Sequence, residues 1–349
     1  MTIDPFWLVA AAAGGFFGAA IGALQSFVLC GFSVLLGAVG LFGNAGAGFL
    51  GFVAFGPVLG PHIAFAGGVA AAAFAHRRGL HSGKDIVTPL IGLRRPQVLL
   101  VGAGFGVLGY LIQSALAAAP WLGTHTDTVA LTVVVSAIIT RLAFGRTGLI
   151  GRPSPPLSHA DAAAVPAIEA RTGVARSGDD ILEGVVEGGR PPSGSSSWVG
   201  RFAPTDDHHW VRYQENLGPN TVLGLFAGGL SAAAALSVAQ QFPTTGALAA
   251  TVGFGISAAS LLFLCLGMAV PVTHHMTLIG GVAALSFLPL VGGNQVAAML
   301  IGALFGMVAA WVAEFFSRFW HIRGDTHIDP PASSIWLTTT VVVGLAAVL

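Results

Sequence analysis

Thr124-His125-Thr126-Asp127 and Thr326-His327-Ile328-Asp329 are the two stretches whose reading decides the fold. Each stands just before an apolar segment that contains a Val-Val-Val run, and they are offset by 327 − 125 = 202 residues. Other matches keep the same order along the chain. Gly67-Gly68-Val69 matches Gly280-Gly281-Val282, an offset of 280 − 67 = 213. Gly102-Ala103-Gly104-Phe105-Gly106 matches Gly302-Ala303-Leu304-Phe305-Gly306, an offset of 302 − 102 = 200. Val133–Val135 pairs with Val341–Val343 (341 − 133 = 208), and Gly14-x-Phe16-x-Gly18 with Gly224-x-Phe226-x-Gly228 (224 − 14 = 210). Any one match is weak in a chain rich in glycine, alanine and valine. Five in register point to an internal duplication, with the drift in offset taken up by loop insertions.

The repeated unit reads as a membrane unit. Hydrophobic residues make up 54%, charged residues 9%, and mean hydropathy is +0.80, against about 25% charged residues in soluble domains. The charges are segregated: none lies between Pro5 and His76 or between Asn216 and Ala313, and Asp127 stands alone between Gln97 and Thr140. A formal net charge of zero supplies no field for nucleic acid. Cys30 and Cys265 both lie in apolar segments, as small packing residues rather than a disulfide. The start, Met-Thr-Ile-Asp-Pro-Phe-Trp, lacks the basic region of a signal peptide, so the first apolar stretch is expected to be retained as a span. The abundant glycine, 49 residues, suits close helix approach in lipid.

The fold class expected is an all-α polytopic membrane protein of about ten transmembrane helices. A span takes about 20 apolar residues. In repeat 1, residues 1–145, spans fall near 7–26, 28–58, 60–76, 97–118 and 128–145. In repeat 2, residues 217–349, they fall near 219–239, 246–270, 273–290, 295–317 and 333–349. The 28–58 stretch contains Gly43-Asn44-Ala45-Gly46-Ala47-Gly48, which predicts a broken or re-entrant helix. The Pro- and Ser-rich stretch 146–216 reads as a partly disordered linker, with a short amphipathic helix within 160–170. Arg77, Arg78, Lys84, Arg94 and Arg95 put the 76–96 loop in the cytoplasm. Counting five spans then places the 146–216 linker inside and both termini outside a cell membrane. An odd number of spans per unit makes the second copy inverted, the plan of many transporters, with sites near the midplane between repeats.

Two constellations of polar residues recur in both halves. The first is the motif pair: Thr124, His125 and Asp127, with Thr326, His327 and Asp329. Asp before an apolar run is a helix cap, and Pro330 at the next position fits that reading for Asp329. The same residues could instead form a mouth or gate, and one His and one Asp per side are too few to close a metal site. The second is His62 with His274 and His275. At offset 213, His62 falls on His275, and both follow Gly/Pro sequence that breaks a helix. A histidine at a helix break is what substrate binding or a proton relay at a midplane site needs, and interhelical hydrogen bonding is the structural alternative. Glu314 and Arg318 sit at ion-pair spacing on one helix.

The chain holds no Walker A, Cys-x-x-Cys, His-Glu-x-x-His or Gly-x-Ser-x-Gly motif. No catalytic residue, metal or cofactor is therefore assigned. The plan of five plus five spans with a glycine-rich second span is similar to that of urea transporters; their Leu-Pro-x-x-Thr-x-Pro-Phe motif is absent, so the likeness is one of plan alone. The function expected is a transporter or channel for a small solute or ion at the interface of inverted repeats. The alternatives are a lipid-facing translocase or membrane enzyme acting on a lipid-linked substrate, and a non-transporting scaffold subunit. Expected partners are membrane lipids and the solute, with either a second copy of the chain or a protein docking on 146–216.

Overall fold

Asp4, Asp127, Asn294 and Asp329 each stand one residue before an apolar run, and each side chain accepts a hydrogen bond from a backbone N–H of the turn that follows. These four caps start α1 (Pro5–Ile21), α7 (Thr128–Phe144), α11 (Gln295–Phe316) and α12 (Pro330–Val348). Proline at the first turn, where no N–H is missed, helps to start α1 and α12 and also α5 (Pro96–Ala118). The remaining helices are α2 (Ala23–Leu41), α3 (Gly46–Phe49), α4 (Ala64–Arg77), α6 (Leu122–His125), α8 (Leu217–Gln241), α9 (Thr251–Cys265) and α10 (His274–Phe287). This computed structural model describes residues 4–41, 46–151, 202, 210–211 and 214–349, and among them there is no strand. The disorder and the short helix expected within 146–216 fall almost wholly outside the described residues.

Among the described residues, six helical stretches are long and apolar enough to cross a membrane: Ala23–Gly40, Pro96–Ala118, Leu217–Gln241, Pro243–Cys265, Gln295–His321 and Pro330–Val348. α1 and α7 are apolar at 17 residues each, and α4 and α10 have 14 each. Six helices of crossing length among the described residues thus stand where hydropathy marks ten spans. For α4 and α10 the shortfall comes from non-helical approaches, Phe55–Ile63 and Leu266–Thr273, which use up part of each apolar run. In the 28–58 stretch, α2 ends at Leu41 and the chain resumes as α3, which runs into a π turn, Leu50–Ala54. Large apolar side chains, among them Leu36, Leu100, Phe226, Leu230 and Leu300, project outward uncovered. An apolar exterior of this kind matches lipid rather than water.

Two groups of three helices are built on glycine contacts. In one, α1, α4 and α5 pack together: a Cβ on Gly67 would lie 2.7 Å from Gly15 Cα, and one on Gly102 would lie 2.6 Å from the Ala19 Cβ. In the other, α8, α10 and α11 pack together: a Cβ on Gly280 would lie 2.6 Å from Gly228 Cα, and one on Gly302 would lie 2.6 Å from the Ala232 Cβ. α2 lies against α9 across the middle. A Cβ on Gly31 would meet Ala258 and Ala259, and one on Gly255 would meet Val34 and Leu35. As α2 advances from 31 to 35, α9 runs back from 259 to 255, so the two helices are antiparallel. α7 and α12 are antiparallel as well: Thr340 reaches Thr126 at the start of α7, and Arg141 near its end reaches Thr326 ahead of α12.

The loops after α4, α7 and α11 meet at one end of the molecule. Asp325 accepts from Thr147 Oγ1 and from the Arg146 N–H, and it lies 3.8 Å from His76. Burial would raise the Asp325 carboxyl, but these donors outweigh it and hold the group below its ordinary value. His327 N–H donates to Gly83 O, and Arg146 donates to Arg77 O. Arg141, 1% exposed, donates to Leu149 O, Thr326 Oγ1, Thr326 O and Trp320 O. This one side chain ties α7 to the loop that leads into α12.

Candidate functional site

A cavity of about 330 Å³ lies where α2, α7, α9 and α12 meet the non-helical approaches to α4 and α10. Its wall is aromatic and aliphatic, and among the described residues Asp127, Asp329 and His274 are its only ionisable side chains. Phe27 stands at the centre of the rings, edge-on to Phe65 at 6.0 Å and to Phe254 at 5.7 Å, and 4.8 Å from His274. Phe55 extends the same group, 5.7 Å from Phe254.

The two carboxylates reach the wall because they are caps. Asp127 accepts from Ala130 N–H at 2.8 Å and Asp329 from Ala332 N–H at 2.7 Å, so each helix start aims one acid at the cavity. Asp329 also takes a contact from His327 Nε2 at 3.2 Å. The Thr-His parts of the two motifs differ in their surroundings. Thr124 is exposed, and His125 stacks on Trp121 at 5.0 Å. Thr326 is fully buried under Arg141, and His327 is buried against Phe65 and His321. The cause is the loop at 78–95, which covers the second motif through the Gly83–His327 bond, while the first motif lies at the uncovered end.

The three histidines at the helix breaks are all buried, and they divide. His274 is on the cavity wall. His62 and His275 are 2% and 0% exposed and do not line it. His62 is turned toward Gly60, and its carbonyl presses on Gly109 of α5. Both His275 ring nitrogens lack a hydrogen-bond partner among the described residues, and its ring faces Trp210 at 6.1 Å. Glu314 and Arg318 lie apart from the cavity: Arg318 Nε is 2.6 Å from Glu314 Oε1, and its other nitrogens donate to Phe202 O and Glu215 O. No group of three or more His, Cys, Asp or Glu that could hold a metal ion is found among the described residues.

Many wall residues belong to none of the sequence motifs, the four phenylalanines Phe27, Phe55, Phe65 and Phe254 among them, and three come from the expected loop at 76–96 and linker at 146–216. Trp210 and Val211 come from the stretch between the halves and form part of the wall. Gln214 anchors that stretch by a double amide bond to the Val272 backbone, accepting at 2.6 Å and donating at 3.1 Å. From the other half Ile86 enters the wall, held by the Leu24 N–H bond to Ile86 O at 2.8 Å and by Gln25 on Val87 O. A Trp-Val pair inside a polar stretch is the one sequence signal that could have suggested such a packed segment.

These features define a class: an all-α protein whose apolar helices, several of membrane-crossing length, surround an apolar cavity with two acidic caps. The chain belongs to the family described as family of unknown function DUF7973, whose family model matches residues 1–349. No curated protein and no solved structure matches the chain.

Proposed function

We propose that this protein is a membrane transporter in which two halves, inserted in opposite senses, carry a small organic solute through the cavity between them. The observation that carries the reading is the composition of the wall. Asp127, Val129, Ala130 and Val133 of α7 pair with Asp329, Pro331, Ala332 and Ile335 of α12 at one offset, 329 − 127 = 202. Pro61 and Phe65 pair with His274 and Leu278 at 274 − 61 = 213, and Leu24 and Phe27 with Leu248 and Thr251 at 248 − 24 = 224. Sixteen wall residues thus form eight pairs in sequence order, as expected of a cavity on a pseudo-two-fold axis.

The glycine contacts support the same relation. Ala19 against Gly102 and Ala232 against Gly302 are equivalent contacts, with 232 − 19 = 213 for α1 with α8 and 302 − 102 = 200 for α5 with α11. This replaces the offset of 210 read for α1 from the spacing of Gly14 and Gly18. Gly31 and Gly255, at 255 − 31 = 224, insert into each other's helix in antiparallel fashion. A two-fold that relates antiparallel helices would lie across them, and with those helices along the membrane normal it would lie in the membrane plane, which supports the inverted reading. The Arg-bearing loops gathered at one end support a cytoplasmic assignment for that end.

The test is a set of single cysteines in a background without Cys30 and Cys265, labelled in sealed membranes with an impermeant maleimide. Ser82→Cys and Leu149→Cys are expected to label from one side, and Thr124→Cys and Gln295→Cys from the other. Val133→Cys and its counterpart Ile335→Cys are expected to label from each side in turn. Cavity cysteines that never label from either side sink the carrier reading and favour a scaffold. Labelling of all four end positions from a single side sinks the inversion.

A further inference from the structure

The wall has a sign. Among the described lining residues there are two carboxylates and no Lys or Arg, and most of the others are aromatic or aliphatic. The N-terminal ends of α7 and α12 offset part of each acid's charge, roughly half a unit per helix, and His327 lies 3.2 Å from Asp329; with both caps ionised, the described lining keeps a negative balance. Four phenylalanines, Phe27, Phe55, Phe65 and Phe254, present rings around the same space. Ring faces attract cations and give nothing to anions. A neutral apolar ligand would use the rings but would displace water from the two carboxylates without bringing a counter-charge, leaving Asp127 its cap bond and Asp329 its cap bond and His327.

We propose that the cavity takes an amphipathic organic cation, such as a lipophilic amine or quaternary ammonium, seated on the Phe27 cluster and paired with Asp127 or Asp329. This rests on the carrier reading above for its purpose, though not for its chemistry. Thr340 meets Thr126 and Arg141 meets Thr326, so Asp329 lies opposite a point about ten residues beyond Asp127, roughly 15 Å at the helix rise. A single small cation therefore meets one acid at a time. Asp127 serves as the station nearer the open end and Asp329 as the station nearer the loop-covered end.

The probes are a matched pair: tetraphenylphosphonium and tetraphenylborate have the same four-phenyl shape and opposite charge. Saturable binding to the purified full-length protein is measured by equilibrium dialysis in detergent. Tetraphenylphosphonium is expected to bind about tenfold or more tightly than tetraphenylborate, the effect of one charge contact in a partly desolvated site. Asp127→Asn and Asp329→Asn keep the helix caps, because Asn caps as well as Asp, while removing the charge. Each is expected to weaken the cation several-fold with the fold intact, and the double variant to remove the preference for the cation. Equal binding of the two ions overturns the proposal, as does a double variant that keeps the wild-type preference. Failure of both tetraphenylphosphonium and the smaller phenyltrimethylammonium to bind saturably also overturns it. The cysteine labelling is read independently: accessible cavity positions with no cation preference reject the ligand class and leave the carrier standing. Cation-selective binding in a cavity closed to both sides rejects the carrier alone.

Discussion

Arg141 shows what a buried cation does when its hydrogen bonds, among the described residues, go to no carboxylate. Its donors go to three carbonyls and one hydroxyl on the loops at 149 and 320–326. Removing it leaves several buried acceptors unpaired, at about 1–3 kcal/mol for each that water cannot reach. Arg141→Met is expected to lower stability by about 3 kcal/mol or more, seen as a lower Tm in detergent. Arg141→Lys should recover less than half of that, because one ammonium cannot reproduce the planar fork. Methionine at wild-type Tm would show that the four bonds carry no net stability. His81 gives a residue-scale pH dependence. Its side chain is 4% exposed and lies 3.4 Å from Asp85, whose carboxylate also accepts from the Val87 and Thr88 N–H groups. Burial lowers the His81 pKa below its ordinary 6.5; Asp85 opposes this and His76 adds to it. The docked loop therefore prefers neutral His81. Its contribution is fully present above pH 6.5 and is lost as pH falls below that value through the depressed pKa. Hydrogen-exchange protection at 85–88 should weaken on acidification below pH 6.5 in the wild type and much less in His81→Gln. An identical pH response in the two proteins would remove His81 as the cause.

At the scale of elements, the α1–α5 and α8–α11 contacts are tight at matched positions. Gly102→Ala and Gly302→Ala each set two methyl carbons at 2.6 Å, an overpacking cost of about 1–3 kcal/mol. The losses in Tm are expected to be alike and to be relieved only in part by Ala19→Gly and Ala232→Gly respectively, because the added carbon also meets Gly15 O at 2.7 Å or Gly280 O at 2.6 Å. A loss at only one site would show that the two contacts are not equivalent. The helices themselves were largely legible, because uncharged apolar runs bounded by Asp, Asn and Pro leave few alternatives. The register of α1 with α8 was not. Gly14, Gly15 and Gly18 are all small, and Phe16 and Phe226, which suggested offset 210, face outward with no partner to fix them. On the repeat reading proposed above, the packed glycines favour 213. The lengths of α4 and α10 were also hidden, since hydropathy cannot separate a helical apolar residue from one in the extended approach before it.

For the whole molecule, the candidate site was half legible. The repeated acid was visible as a motif, and capping explains both its recurrence and its place on the wall. The histidine that reaches the cavity is His274, while the duplicated pair His62 and His275 sits one position further on, turned from the wall. Burial in a membrane protein does not distinguish a residue facing a cavity from one facing a helix, so sequence alone could not choose among the three. Trp210 and Gln214 were hidden for a different reason: their neighbours are polar, and only the gap before α10 makes them interior. The middle of the molecule carries a consequence for its origin. Gly31 inserting at Ala258, and Gly255 inserting at Val34, is a contact that reads the same from either side, as the contacts of an isologous interface do. On the inverted reading, a half-length ancestor would have met its own copy through this face. To do so it had to enter the bilayer in both directions, and the later joining of two genes would have frozen one copy in each sense.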